Sequence, residues 1–235
     1  MKINNMNDTN SKKTEYVSSD DKKEGKWFLR EIEDRFRNKI VPHIPKCIET
    51  YHLTYMTIVW SVSIVIFGWF AKENINWMWL VSLMIFLQYI TDLFDGAIGR
   101  YRNTGLIKWG YYMDHFLDYL FLVSVIAAYY LLFPANFGLL FIGILVFAIA
   151  PLVSVFLASS VSDKMNISFM NFGPTEGRLL LIFLNTLLII FGVNLAQKVL
   201  PYIFIGEIIL ISLMVYKTQK QLWKVDMAIK NQKVS

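Results

Sequence analysis

The chain has 235 residues, 55% of them hydrophobic, 16% aromatic and only 17% charged, with a formal net charge of +5. That is too apolar for a soluble domain of this size. The single cysteine, Cys47, excludes an intrachain disulfide framework.

Residues 1–26 are rich in Asn, Asp, Ser and Lys, which predicts disorder and no cleavable signal peptide. Residues 27–46 carry WFLREIEDRFRNKIVPHIP, in which Phe28, Ile32, Phe36 and Ile40 recur every four residues with charges between them. This predicts an amphipathic helix in the cytoplasmic membrane interface, ended by Pro42, with Trp27 and the arginines in the headgroup layer. A soluble helix packed under the bundle is the alternative.

Residues 47–217 hold six apolar runs, at about 53–71, 77–95, 111–133, 137–160, 179–194 and 200–216. The fifth is the shortest, and all approach the roughly 17–25 residues that span a bilayer. The expected fold is an all-α integral membrane bundle of six transmembrane helices, preceded by the interfacial helix. Residues 218–235 form a basic tail, expected at the lipid surface. Of the 23 Lys and Arg residues, 21 fall before the first run, after the second, after the fourth or in the tail. Only Lys72 and Lys198 fall on the other side. This asymmetry predicts that both termini, and the inner ends of the runs that carry Asp92, Asp95, Asp114 and Asp118, face the cytoplasm.

Four aspartates end or open two of these runs. Asp92 and Asp95 lie in TDLFDGAIGR, and Asp114 and Asp118 in GYYMDHFLDYLF. A carboxylate at membrane depth costs about 2.5–3.5 kcal/mol on insertion scales, so each is a functional candidate. Spacings of three and four put each pair on one helix face. Four converging carboxylates repel one another unless cations lie between them, and hard oxygen ligands suit Mg²⁺, Ca²⁺ or Mn²⁺. Basic residues within the spans are too few to make the four a structural ion-pair network. The basic loop 97–110 adds Gly99, Gly105 and Gly110, where a ligand can approach the backbone. Arg100 is placed to grip phosphate oxygens bidentately. Arg102 divides between that role and topology. His115 is a candidate base by its ordinary titration range, with packing as the alternative. Glu207 is an isolated acid in the sixth run, for a pocket or a helix contact.

The string Asp92-x-x-Asp95-Gly96-x-x-Gly99-Arg100, nine residues, then Gly110-x-x-x-Asp114-x-x-x-Asp118 resembles the signature of the CDP-alcohol phosphotransferase family. That pattern is D-x-x-D-G-x-x-A-R, about eight residues, then G-x-x-x-D-x-x-x-D. Gly99 replaces the alanine, and the spacer is one residue longer. The resemblance implies membrane enzymes of phospholipid synthesis that transfer a substituted phosphate from a CDP-alcohol to an alcohol and release CMP. It implies that Asp92, Asp95 and Asp114 ligate Mg²⁺ or Mn²⁺, with two ions expected and Asp118 at their edge. It implies that Gly96, Gly99 and Arg100 hold the CDP moiety and that Gly110 permits close helix approach. Asp118 or His115 would be the base. The Asp114-His115-x-x-Asp118 form and NFGPTEGR at 171–178 are similar to choline and ethanolamine phosphotransferases. These imply CDP-choline or CDP-ethanolamine as donor and diacylglycerol as acceptor, with CDP-diacylglycerol and a small polar alcohol as the alternative. Glu176 would meet the donor amine or a metal-site arginine; a charge beside a helix N-terminus is its alternative. The expected partners are therefore donor, acceptor and membrane lipids, with a homodimer as a candidate assembly and no nucleic acid. The rival of another class is a divalent-cation transporter, but no second acidic set marks the outer ends of the runs.

Overall fold

The computed structural model describes residues 23–24, 28–103, 106–161, 165–166 and 173–232. The predicted disorder over 1–22 and 25–26, the headgroup position of Trp27, and Gly105, Asn171 and Phe172 lie outside the described residues. The architecture is helical apart from a two-residue parallel ladder that pairs Lys23–Glu24 with Met165–Asn166. Helix α1 is Arg30–Ile40, α2 Thr50–Phe70, α3 Met78–Arg102, α4 Ile107–Leu132, α5 Gly138–Val161 and α6 Pro174–Gln232. Five of these, α2 to α6, are long and apolar enough to cross a membrane.

Local chemistry sets the ends. Pro42 sits in the short 3₁₀ turn Val41–His43 that follows α1, as expected of a residue that cannot continue a helix. Glu49 and His52 form a reciprocal capping box at the start of α2. Asn103 closes α3 in the left-handed region at φ 53°, ψ 43°, which Asn tolerates better than most residues. α6 is not one straight rod. Gly192 lies at φ 77°, ψ 168°, a region open in practice to glycine alone, and it parts 174–191 from 193–232.

The packing is small and polar inside, large and apolar outside. The buried face of α2 is Thr50, Thr54, Thr57, Ser61, Ile64 and Gly68, in alternating steps of four and three. Meanwhile Ile58, Val62 and Ile66 point outward. Close approach between helices through small residues, with apolar side chains left for lipid, is how bundles pack in a bilayer. Gly68 makes the closest approach: a Cβ there would lie 2.6 Å from Ala128 Cβ and 2.8 Å from its Cα. α2 packs against both α3 and α4, α6 against α3, and α5 against α4 and α6. Tyr129 of α4 donates to Asn185 Oδ1 of α6 at 2.5 Å, and Asn185 Nδ2 donates to Ser82 Oγ of α3 at 2.9 Å. One apolar cluster gathers Ile64, Met78, Ile85, Val125 and Leu188; a second gathers Val41, Phe94, Ala97 and Ile98. Along α3, Asp92 falls between them.

The apolar stripe of α1 does not pack under the bundle along its length. Phe28 and Ile32 are 86% and 63% exposed, whereas Glu33 is buried at 6%. Only the C-terminal end of the stripe turns inward: Phe36 tilts against Phe94, and Ile40 joins the second cluster. The 218–235 tail continues as helix through Gln232.

Candidate active site

Asp92, Asp95, Asp114 and Asp118 line one cavity, together with Thr54, Thr57, Gln88 and Leu117. The cavity sits where the start of α2, the end of α3 and the start of α4 meet. The helical spacing of each aspartate pair puts both members on an inward face. The threonine stripe of α2 supplies the facing wall. Thr54 Oγ1 donates to Asp95 Oδ2 at 2.6 Å. Gln88, one turn before Asp92 and only 1% exposed, has a buried amide oxygen with no hydrogen-bond partner among the described residues.

A side chain brings positive charge between two of the aspartates. Arg178, at the start of α6 and 7% exposed, places Nη2 at 2.9 Å from Asp92 Oδ2 and 3.2 Å from Asp118 Oδ1. In the sequence Arg178 stands among the positive residues that fix topology and closes the motif NFGPTEGR, with no role in the aspartate site. The corrected reading is that one guanidinium ties α3, α4 and α6 together at the site. Its signal in the sequence was an arginine one turn inside an apolar helix, where charge is costly unless paired. Thr54, Thr57 and Gln88 carry no such signal, being uncharged residues inside apolar runs.

The other predicted residues divide. His115 does not line the cavity. Its ring lies against Tyr111 and Phe156, with Nδ1 at 3.4 Å from Asp114 Oδ2. Arg100 and Gly96 meet along α3 beyond the aspartates, where a Cβ on Gly96 would lie 3.1 Å from Arg100 Nη1. Arg100 lines a separate groove with Arg37, Asn38, Val41, Pro42, Ala97 and Tyr101. Gly99 is half-buried in the last turns of α3. At Gly110 the expected close helix approach is not seen: a Cβ there meets no described atom within 4 Å. Arg102 donates to the carbonyls of Ile48, Ile44 and Pro45 at 2.5, 2.9 and 3.0 Å, which clamps the link between α1 and α2. Glu176 accepts from Gly173 N at 2.9 Å through Oε2 and from Leu29 N at 3.1 Å through Oε1. Its carboxylate thus lies between the N-termini of α6 and α1, where helix dipoles favour an anion. Glu207 is half-buried, and its Oε2 has no hydrogen-bond partner among the described residues.

The donor set fits a divalent cation chemically, since four hard carboxylates share one cavity. In this arrangement no three acidic, His or Cys side chains among the described residues are gathered closely enough to ligate one ion, and Arg178 spans two of the four.

The family model described as CDP-alcohol phosphatidyltransferase matches residues 50–217, well over half the chain and all of this cavity. No curated protein and no solved structure matches. The chain belongs to the CDP-alcohol phosphatidyltransferase family. It is a transferase of substituted phosphate groups, acting from a CDP-alcohol to an alcohol in phospholipid synthesis. The long apolar helices make it a multi-pass integral membrane protein. The cation-transporter alternative falls with that membership. The family as a whole generally depends on divalent metal.

Proposed function

We propose that this protein transfers a phosphoamino-alcohol group from CDP-choline or CDP-ethanolamine to diacylglycerol, using Mg²⁺ or Mn²⁺ at Asp92, Asp95, Asp114 and Asp118. The observation that carries the reading is the convergence of these four carboxylates on one cavity. When bound there, the metal ions neutralise the diphosphate and stabilise the departing CMP. Arg100, with Gly96 and Gly99 beside it, would hold the diphosphate at the mouth of the site. Gly110 would leave room for the nucleotide at the start of α4. Glu176 would support the donor site by fixing the start of α6.

In the transfer, the diacylglycerol hydroxyl oxygen attacks the phosphorus that carries the amino alcohol. The bond from that phosphorus to the CMP oxygen breaks, CMP leaves with the electron pair, and the hydroxyl proton passes to a base. Positioning and charge neutralisation do most of the work in such a step. We assign the base to Asp118, because it lines the cavity while His115 packs behind Asp114. Arg178 must release Asp118 Oδ1 before that oxygen can meet the proton.

The membrane arrangement follows the same reading. The six spans would be α2 to α5 and the two parts of α6 divided at Gly192. A straight helix of 59 residues would be about 88 Å long, close to three times the hydrocarbon thickness. The lysine and arginine bias places the site and both termini in the cytoplasm. The outward Phe28 and Ile32 suit α1 lying in the headgroup layer.

Excess chelator should abolish CMP release, and Asp95→Asn should do so with the protein still folded. Full turnover in chelator would contradict the metal assignment.

A further inference from the structure

We infer that Glu33, on the peripheral helix α1, is a positioning residue for the transfer reaction, setting Arg178 against Asp92 from outside the cavity. The inference rests on the function proposed above. Glu33 is an acid on a helix whose neighbouring apolar side chains face outward, yet it is the side chain that is buried. Its Oε1 accepts from two helices at once. Tyr89 Oη of α3 donates to it at 3.0 Å, and Thr175 Oγ1 of α6 donates to the same oxygen. Tyr89 lies three residues before Asp92, and Thr175 three residues before Arg178. In a helix that spacing puts each pair on adjoining positions of one face. The two helices are therefore joined twice: by Arg178 and Asp92 at the cavity, and by Glu33 beside it.

A second contact makes α1 part of the same unit. Glu176, one residue after Thr175, accepts from Leu29 N at the start of α1. Each helix thus lends the other a carboxylate. A buried carboxylate with two hydroxyl donors is a strong and directional joint. Loss of Glu33 would leave the Tyr89 and Thr175 hydroxyls without their shared acceptor and let the start of α6 shift. Arg178 would move with it. An ångström-scale misplacement at a catalytic centre lowers turnover by about tenfold to a hundredfold.

The test uses the full chain in lipid vesicles with Mg²⁺, comparing wild type, Glu33→Ala, Glu33→Gln and Thr175→Val. Amide hydrogen exchange over residues 174–180 reads the position of α6 without substrate, and CMP release reads catalysis. Glu33→Ala should speed that exchange and lower kcat about tenfold or more, with the donor KM changing much less. Glu33→Gln keeps an acceptor oxygen and should recover most of kcat. Adding Thr175→Val to Glu33→Ala should cause little further loss, since both remove one joint. Wild-type kcat in Glu33→Ala, even with lowered thermal stability, would reduce Glu33 to a packing residue and overturn the inference. So would Glu33→Gln behaving no better than Glu33→Ala. Should wild type release CMP from no CDP-alcohol, the functional reading fails by itself; unchanged exchange at 174–180 in Glu33→Ala would then sink the positional inference, and faster exchange would uphold it.

Discussion

Arg178 Nη2 stands 2.9 Å from Asp92 Oδ2, across the seam between α6 and α3. The same nitrogen reaches Asp118 Oδ1 at 3.2 Å. A buried guanidinium shared by two carboxylates holds three helices at the site, and in the proposed transfer only its contact with Asp118 has to open. Arg178→Ala should therefore lower CMP release by about a hundredfold, the scale for loss of a preorganised charge at a reacting centre. Arg178→Lys should recover only part of this, because an ammonium cannot reproduce the planar fork. Turnover by each variant, with its melting temperature, checks the expectation; wild-type activity in Arg178→Ala would contradict it.

The base assignment separates two neighbours on α4. Asp118→Asn should lower kcat by about 10²-fold or more with CDP binding nearly intact. His115→Ala should be milder, since its ring packs against Tyr111 and Phe156 rather than lining the cavity. The reverse ranking would give the proton to His115.

Packing at Gly68 gives a prediction about stability alone. A Cβ at this position would meet the Cβ and Cα of Ala128, neither of them a flexible side-chain end. Gly68→Leu should destabilise the bundle by roughly 1–3 kcal/mol or more, as overpacking does. Thermal unfolding in detergent reads it, and an unchanged midpoint would show that α2 and α4 can part there without loss.

Orientation has a direct probe. Cys47 is exposed and native, so it is first replaced by serine. Tyr101→Cys, at an exposed position of the last turn of α3, should then react with an impermeant thiol reagent only once the cytoplasmic face is opened. Labelling from outside intact cells would invert the topology.

The aspartates were legible because their pattern is local. Steps of three and four on one helix fix a shared face whatever the rest of the chain does. The partners were not legible, because they come from far away. Arg178 lies 60 residues from Asp118, and Thr175 lies 142 residues from Glu33. At such distances an arginine at the head of an apolar run reads as a topology signal. Arg102 shows the same limit, since its carbonyl partners at 44–48 precede it by more than fifty residues. On α1, the period of four in Phe28, Ile32 and Phe36 was plain, but the buried Glu33 on another face was not. In α2 a period was there to be read: Thr50, Thr54, Thr57, Ser61, Ile64 and Gly68 repeat at alternating fours and threes, and all but Ile64 are small or polar. A search for apolar residues passes over it, because inside a membrane bundle the packed face is the small one. The break in α6 rests on Gly192 alone, where the sequence suggested a short loop near Lys198.

Transfer from a CDP-amino alcohol at the four-aspartate cavity is tested by offering CDP-choline, CDP-ethanolamine and CDP-diacylglycerol in turn to the purified protein in lipid with Mg²⁺, each with a matching acceptor, and measuring CMP release. CMP formed from CDP-choline or CDP-ethanolamine with diacylglycerol, and lost in Asp95→Asn, is the predicted result. CMP formed only from CDP-diacylglycerol with a polar alcohol would contradict the donor assignment, and equal release by Asp95→Asn would contradict the site.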